Sequence, residues 1–286
     1  MRAALARMSF DEFRDGFHMI SFHDVYKTYP DGTVALDGIT FDVPKGQFCI
    51  LLGHSGAGKS TILRLVNGLV EPSRGTVSVN GTEITRKTLQ DVRRKVSMIH
   101  QEFNLSGRSS VAMNVMSGTL ADVSTLRALL GWFPAATRRK CCELIERVGL
   151  SEQHLSRRAS ALSGGQQQRV GIARGLMLDP LVILADEPIA SLDPSASREI
   201  LGLLRNAAKE RGCTILCCLH QVDLAKEFGE RIVGVEGGRV VFDLKPDEID
   251  AKTLGLIYKN YDDPAGKATL EAAAVENVLE TGVQRN

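Results

Sequence analysis

The segment GHSGAGKS, residues 53–60, constrains the fold of this chain more than any other stretch. It follows the apolar run FCILL and precedes STILRLVNGL, in which apolar residues recur at helical spacing. A turn of the form G-x-x-x-x-G-K-[ST] between a buried strand and a helix is typical of a phosphate-binding loop. An ordinary glycine-containing turn is the alternative, but the flanking strand and helix favour the phosphate loop.

Each position of this loop has a chemical reason. Glycines at Gly53, Gly56 and Gly58 allow backbone N–H groups to turn inward around phosphate oxygens, and the positive end of the following helix adds to the attraction. Lys59 is predicted to bring a positive charge to the outer phosphates, and the Ser60 hydroxyl is predicted to contact Mg²⁺. The predicted nucleotide-binding residues of the loop are therefore Gly53, His54, Ser55, Gly56, Ala57, Gly58, Lys59, Ser60 and Thr61.

Two carboxylates, Asp186 and Glu187, follow the apolar run LVILA at the end of a predicted strand. Charges at the end of a buried strand are costly unless they face a metal, a cation or water. We expect Asp186 to supply a second Mg²⁺ contact and Glu187 to be the base that orients an attacking water. A solvated strand end is the alternative, and a neighbouring phosphate loop argues against it.

The alternation of strand and helix patterns predicts an α/β chain. Residues 20–53 read as antiparallel strands that lead into the buried strand before the loop. From residue 101 to about 180 the periodicity is helical, which predicts a helical insert. Strand patterns return at 181–186 and 214–220, with a helix at 195–211 between them, so we expect a parallel sheet wrapped by helices.

The sheet predicts where two further polar residues lie. KVSMIHQ ends at Gln101 and TILCCLH ends at His220, and ligands bind at the carboxyl ends of parallel strands. Both side chains should therefore share one edge with the phosphate loop and Asp186. A surface or capping role is the alternative for each of them.

The ends of the chain are less informative. VGVEGGRVVFDL, residues 233–244, predicts a hairpin that turns at its two adjacent glycines. Residues 1–18 are predicted to form a flexible extension, with Met19 as an alternative start. The tail 262–286 is rich in Ala and Glu and is predicted to be either a weak helix or a mobile end.

Composition excludes several classes of protein. The chain has 286 residues, of which 43% are hydrophobic, so it can bury a sizeable core. With 35 basic and 34 acidic side chains it shows no basic footprint for nucleic acid, and its apolar runs are too short to span a membrane. The six cysteines lack zinc or redox spacing and indicate core residues in a reducing compartment, the cytoplasm; a soft-metal site at the adjacent Cys141 and Cys142 is the alternative.

A second glycine turn, Ser163-Gly164-Gly165, precedes the helix pattern QQQRVGIARGLM. A capping hydroxyl, a flexible backbone and a helix N-terminus are the same ingredients that bind phosphate at the first loop. Taken alone, the turn is a helix cap. It belongs to the helical insert, however, and has no nucleotide-binding strand in front of it, so any phosphate it binds should come from elsewhere.

Six ordered motifs across residues 20–245 give the chain a specific resemblance. GHSGAGKST, Gln101, LSGGQ, LADEP, SLD at 191–193 and His220 resemble the ATPase subunit of ABC transporters. The resemblance implies a P-loop NTPase fold of the ABC type, with a RecA-like core, an antiparallel β subdomain and a helical subdomain at about 101–180, all within a domain spanning 19–261. It also implies a homodimer in which the LSGGQ turn of one copy completes the ATP site of the other.

The resemblance assigns roles by position. Tyr29 would stack on adenine, Asp193 would link the two sites of the dimer, and His220 would steady the γ-phosphate. Gln101 would sense the γ-phosphate and move the helical insert. The implied sets are the catalytic residues Glu187, His220, Gln101 and Lys59, the Mg²⁺ ligands Ser60, Gln101 and Asp186, and the residues that reach ATP from the second copy, Ser163, Gly164, Gly165 and Gln166.

Shorter segments narrow the resemblance. HQEFNL at 100–105, GWFP at 131–134 and LHQVDLA at 219–225 are similar to the ATP-binding subunit of phosphonate importers. That family implies ATP-driven uptake of phosphonate or a related oxyanion through two integral-membrane permease subunits, assisted by a solute-binding protein, at the cytoplasmic face of the inner membrane. The solute stays open, because these segments lie on a subunit that never touches it.

Three alternatives accompany this interpretation. One is an importer of phosphite or another small solute, and another is an exporter. The third is a soluble ABC ATPase of DNA repair or translation, against which the sequence offers no heptad run, no zinc spacing and a single set of motifs.

Overall fold

The computed structural model of the protein describes residues 18–124, 126–127, 130–190 and 192–258. The extension predicted for residues 1–18 and the tail predicted for 262–286 lie outside the described residues, apart from His18, which begins the first strand. Among the described helices, none combines the length and apolar character needed to cross a bilayer.

Four strands form an antiparallel sheet in the order β2-β1-β4-β5. Alternating side chains point inward, and the stacked rings of Phe22 and Phe41, which face each other across the β1–β2 pair, have centroids 4.6 Å apart. The antiparallel pairing predicted within residues 20–53 is confirmed. The strands are β1 His18–Thr28, β2 Val34–Pro44, β4 Arg74–Val79 and β5 Thr82–Glu83.

Six strands form the central sheet in the order β10-β9-β3-β8-β7-β6, in which all neighbours pair in parallel except the β9–β10 hairpin. Every residue of β3, β7 and β8 is buried, which explains their unbroken apolar sequences. The strands are β3 Phe48–Leu52, β6 Val96–Ile99, β7 Val182–Asp186, β8 Thr214–Leu219, β9 Arg231–Glu236 and β10 Arg239–Leu244.

Strand β6 corrects one expectation. We expected a buried strand that closes at Gln101, whereas β6 ends at Ile99 and lies at the edge of the sheet. Its two middle residues, Ser97 and Met98, are only partly buried, because an edge strand has a neighbour on one side alone. His100 and Gln101 therefore belong to the loop that leaves the sheet.

Helices cover both faces of the central sheet and divide the interior into two apolar clusters. One cluster joins the antiparallel sheet, helix α1 and one face of the central sheet, and the other joins the opposite face to the helical insert. In the insert, α5 packs against α3 and α4, so the predicted helical insert is confirmed. The helices are α1 Lys59–Val66, α2 Leu89–Lys95, α3 Val111–Met116, α4 Ala135–Arg147, α5 Gly164–Gly175, α6 Pro194–Arg211, α7 Val222–Phe228 and α8 Ala251–Leu254.

The cysteines serve mainly as core residues. Cys49, Cys213, Cys217 and Cys218 are buried and unpaired, which confirms their predicted packing role. Cys141 is also buried on α4, and its neighbour Cys142 is partly exposed. Among the described residues, no group of three or more His, Cys, Asp or Glu side chains is arranged to hold a metal ion.

Candidate active site

The carboxyl ends of four neighbouring parallel strands meet at one edge of the central sheet. In spatial order these strands are β3, β8, β7 and β6. They are followed by Gly53, His220, Glu187 and His100, respectively. The shared edge expected from the sequence is therefore present, and Gln101 lies next to it in the loop after β6.

The phosphate loop needs glycine at particular positions. Gly56 and Gly58 have φ of 84° and 107°, a region that residues with a Cβ avoid. A Cβ at Gly58 would lie 2.7 Å from the carbonyl oxygen of Ala35, and one at Gly53 would lie 2.3 Å from that of Val235. The neighbouring main chain thus excludes a side chain at Gly53 and Gly58, whereas at Gly56 it is the positive φ that favours glycine.

The turn between β9 and β10 braces the phosphate loop, which sequence reasoning missed. The Gly238 N–H donates to the carbonyl of Ala57 at 3.0 Å, and the Gly238 carbonyl accepts from the N–H of Asp37 at 2.9 Å. The His54 Nε2 lies 2.5 Å from the Glu236 carboxylate. Gly237-Gly238 signalled a hairpin turn, but nothing in the sequence signalled that this turn touches the loop.

Lys59 is folded back over the loop. Its ammonium is buried and donates to the carbonyls of Gly53 at 2.8 Å and His54 at 2.9 Å. The pKa of Lys59 is lowered because burial disfavours the charge, an effect that nearby acidic groups, including Glu187, oppose. The carbonyl contacts orient this cation at the centre of the loop, where it can bind an anion.

Ser60 and Asp186 meet as predicted. The Ser60 hydroxyl donates to the Asp186 carboxylate at 2.8 Å, although the two residues are far apart in sequence. Adjacent oxygens around an octahedral Mg²⁺, with metal–oxygen distances of about 2.0–2.1 Å, are about 2.9 Å apart, so this pair fits two neighbouring Mg²⁺ positions. Gln101 is solvent exposed after β6, and its role as a third Mg²⁺ ligand stays a prediction.

Glu187 and His220 form a close pair beside Lys59. The Glu187 Oε1 lies 2.5 Å from the His220 Nε2, and the His220 Nδ1 lies 3.0 Å from the Gly53 carbonyl oxygen. Burial would raise the pKa of Glu187, but the hydrogen bond and charge of His220, with the charge of Lys59, outweigh it and lower the pKa below its ordinary 4.5. Glu187 also has φ of 47°, a strained backbone typical of functional residues. The carboxylate is held charged and oriented.

Tyr29 lies beside the start of α1. Its hydroxyl is 3.4 Å from the hydroxyl of Thr61, and the Lys27 ammonium lies 5.3 Å from the centre of its ring. The ring is partly exposed. A partly exposed aromatic ring therefore lies beside the start of α1, and the stacking of Tyr29 on adenine stays a prediction.

The second glycine turn caps helix α5. The Ser163 hydroxyl accepts from the Gln166 N–H at 3.4 Å, and the Gln166 Oε1 accepts from the Ser163 N–H at 3.1 Å, which is a capping box. A Cβ at Gly164 or Gly165 would meet no atom closer than 3.7 Å, and neither residue has a positive φ. The cap interpretation is confirmed, but the fold of this chain does not require glycine at either position.

Two more contacts tie the neighbouring segments together. The exposed Asp193 caps α6, because its carboxylate accepts from the N–H groups of Ser195 and Ala196 at 3.0 Å. Arg174, near the end of α5, donates to the carbonyls of Phe103 at 3.1 Å and Asn104 at 2.7 Å. The sequence signalled the Asp193 cap through the following Pro-Ser, but it gave no signal for the Arg174 contacts.

Comparisons with known proteins agree with this geometry. A family model described as ABC transporter matches residues 36–190. The phosphonates import ATP-binding protein PhnC of Hydrogenovibrio crunogenus (strain DSM 25203 / XCL-2) is 49% identical over 241 residues, which cover 84% of this chain and 89% of the relative.

Two solved structures share the fold. CbiO1 from Clostridium perfringens, part of the ABC transporter complex cbiONQ, has a TM-score of 0.73 and 28% identity, with 88% of this chain and 99% of that chain covered. The ATP-binding cassette MJ0796, a dimer in a post-hydrolysis state bound to ADP and Pi, has a TM-score of 0.69 and 32% identity, with 80% and 99% covered.

Proposed function

The chain belongs to the ABC transporter family, and we propose that it is the ATP-hydrolysing subunit of an importer for phosphonates or related oxyanions. The observation that carries the ATPase half of this proposal is the Glu187–His220 pair beside Lys59 at the end of a parallel sheet. The import half is supported by the 49% identity to a phosphonates import ATP-binding protein over most of both chains.

In the proposed reaction, ATP lies along the phosphate loop with its outer phosphates at Lys59. Ser60 and Asp186 would hold Mg²⁺, which neutralises charge on the phosphate oxygens when it is bound. The ionised Glu187 accepts a hydrogen bond from a water molecule and directs the water oxygen at the γ-phosphorus. His220 keeps Glu187 in place through its Nε2. To steady the γ-phosphate, the same Nε2 would turn from Glu187 to a phosphate oxygen, because the Nδ1 faces the Gly53 carbonyl. Gln101 would report the presence of that phosphate to the helical insert. The products are ADP and phosphate.

We also propose that the ATP site is completed by a second copy of the chain. The support is the turn at Ser163, which combines a helix N-terminus, a capping hydroxyl and two glycines that its own fold does not need. The dimer of MJ0796 shows that such cassettes pair. Ser163, Gly164, Gly165 and Gln166 would then bind the γ-phosphate of the partner's ATP, with Asp193 between the two sites.

The proposed assembly contains two copies of this ATPase and two integral-membrane permease subunits, with a solute-binding protein that delivers the solute. The ATPase would lie on the cytoplasmic face of the inner membrane as a peripheral subunit. ATP binding would close the dimer and hydrolysis would reopen it, so that the permeases alternate between two states.

Growth of the source organism tests the import half. Deleting the gene should abolish growth on methylphosphonate as the only phosphorus source and leave growth on phosphate unchanged. The wild-type gene should restore growth, and a gene carrying Glu187→Gln should not. Unchanged growth of the deletion strain on methylphosphonate, with loss of growth on phosphite, would assign the importer to phosphite instead.

A further inference from the structure

Gln168 is a buried amide without a hydrogen-bond partner. Its side chain is 1% exposed, and neither its Nε2 nor its Oε1 forms a hydrogen bond with any protein atom of the described residues. A buried amide in this condition loses its bonds to water and gains none in return, which costs free energy. Most buried polar groups are paired, so the unpaired Gln168 amide needs an explanation, and a partner in another state of the protein would supply one.

The position of Gln168 on α5 identifies the junction. Gly164, one turn earlier, and Gly171, one turn later, lie on the same face of the helix. A Cβ at Gly164 would be 3.7 Å from the ring of Phe103, and one at Gly171 would be 4.0 Å from the Phe103 carbonyl oxygen. The face that carries Gln168 therefore packs against the segment that follows Gln101.

The direction of the side chain brings the amide near the ATP-binding turn. Long side chains on a helix lean toward its N-terminus, and this tendency directs the Gln168 side chain toward the turn at Gly164 and Gly165. A Cβ at either glycine would be about 4 Å from the side chain of Leu192, in the segment that follows Glu187. Three functional segments therefore meet at the start of helix α5, one turn before Gln168.

The carbonyls of the nearest segment have another donor in this structure. Arg174 donates to the Phe103 and Asn104 carbonyls, and Asn104 has φ of 46°, so its peptide is turned away from a regular strand or helix. The Phe103 carbonyl is thus close to the face of Gln168 but directed to Arg174. A small movement of residues 101–105 relative to α5 would exchange the Arg174 donor of the Phe103 carbonyl for the Gln168 amide.

We propose that Gln168 is a positioning residue whose amide hydrogen-bonds the main chain of residues 101–105 only when the ATP site closes. Closure then removes the cost of a buried unpaired amide and is favoured by that amount. Gln168 acts through the loop that carries Gln101 and touches no nucleotide. The inference rests on the proposed function in one respect, since it requires closure during ATP turnover.

Replacing the amide by an apolar side chain of similar shape tests the proposal. Gln168→Met removes the unpaired amide, so the melting temperature without nucleotide should rise by roughly 2–4 °C. The closed state loses its hydrogen bonds, so kcat should fall roughly three- to tenfold while KM for ATP stays within about twofold. A purely structural residue would not lose activity while gaining stability. Gln168→Leu is the second variant if the methionine variant does not fold.

The adjacent glutamine provides a matched control. Gln167 lies on the same helix, but its amide donates to the Leu162 carbonyl at 3.0 Å. Gln167→Met removes a paired amide, so its melting temperature should fall. A fall of the same size in Gln168→Met would overturn the proposal, because it would mean that the Gln168 amide is already paired, for example with a buried water.

A double-mutant cycle identifies the segment through which Gln168 acts. In a Gln101→Ala background, Gln168→Met should lower kcat by less than it does alone, because both changes affect the same loop. Full additivity, or a kcat in Gln168→Met equal to that of the wild type, would overturn the inference. Failure of the wild-type chain to hydrolyse ATP would count against the proposed function and leave the melting temperatures of the two glutamine variants as a separate result.

Discussion

The two glycine turns of this protein use the same ingredients in opposite structural settings. In the phosphate loop, Gly58 has φ of 107° and a Cβ there would meet main chain at 2.7 Å, so the chain's own fold explains the glycine. In the second turn, Gly165 has no positive φ, and a Cβ there would make only ordinary contacts, at 3.9 Å with Leu192 and 4.0 Å with Ala196. Glycine at a position that the fold leaves free needs a reason outside the chain. The comparison therefore supports the proposal that the glycines of the second turn serve a site on a partner copy.

The two turns also differ in the charged groups that surround them. The phosphate loop has Lys59, Asp186 and the Glu187–His220 pair within its own chain. The second turn, Ser163 to Gln166, offers a hydroxyl, backbone N–H groups and a helix N-terminus, which attract an anion but include no carboxylate and no ammonium group. Chemistry therefore belongs to the first turn, and the second can only contribute binding. Four substitutions test this division.

The largest expected effect concerns the base. Glu187→Gln should lower kcat by about 10²–10⁴ while ATP binding is retained, since the amide cannot accept a proton from water. The two turns should then stay closed on uncleaved ATP, and light scattering with ATP should show a stable dimer. Glu227→Gln changes an exposed carboxylate paired with Arg198 and should behave as the wild type. Normal turnover in Glu187→Gln would remove Glu187 from its role.

A methyl group in the phosphate loop should act on the fold. Gly58→Ala forces a positive φ on a residue with a Cβ and creates a contact with the Ala35 carbonyl. We expect a loss of about 2–4 kcal/mol in the free energy of unfolding, measured by urea denaturation without nucleotide. Unchanged stability would mean that the loop shape is not fixed by its neighbours.

The same methyl group in the second turn should act on the partner. Gly165→Ala should leave the free energy of unfolding unchanged or raise it by up to about 1 kcal/mol, because alanine favours a helix. ATP turnover should nevertheless fall about tenfold to a hundredfold, because the methyl group displaces the partner's γ-phosphate.

Gly202→Ala is the control for the second turn, since Gly202 lies in helix α6 with no atom within 4 Å of a built Cβ. It should gain stability in the same way and keep full activity. If Gly165→Ala also keeps full activity, the trans-acting role of the second turn is wrong.

The parts of the molecule that the sequence predicts well are those fixed by local chemistry. Strands β3, β7 and β8 are unbroken apolar runs because both of their faces are buried, and that pattern needs no knowledge of neighbours. Because these strands are parallel, the polar residues that follow their carboxyl ends lie along one edge of the sheet. The predicted end of β6 was wrong by two residues. The apolar pattern of an edge strand is weaker than that of a central strand, and the residues after β6 lead into the helical insert.

The parts that the sequence missed depend on contacts between distant residues. The brace between Gly238 and Ala57 joins segments far apart in the chain, and so do the contacts of Arg174 with Phe103 and Asn104. No spacing rule relates such residues. The same holds for Gln168, whose burial without a partner appears only once α5 packs against the segment after Gln101.

The smallest expected effect distinguishes the phosphate loop from the second glycine turn by the pH dependence of turnover. The lowered pKa of Glu187 means that its stabilising contact with His220 is present above pH 4.5 and is lost as the pH falls through the folded pKa. In His220→Ala, burial acts without the opposing hydrogen bond, so the pKa should rise.

The acid limb of kcat, normalised to the maximum of each variant, should therefore move to higher pH. Both groups lie in one copy, so this shift should not change with protein concentration, whereas a defect in the second turn acts between copies and should. The exposed His23 gives a control, because His23→Ala should leave the limb in place. An acid limb that stays fixed in His220→Ala would show that ionisation of Glu187 does not limit turnover and that His220 acts on the phosphate alone.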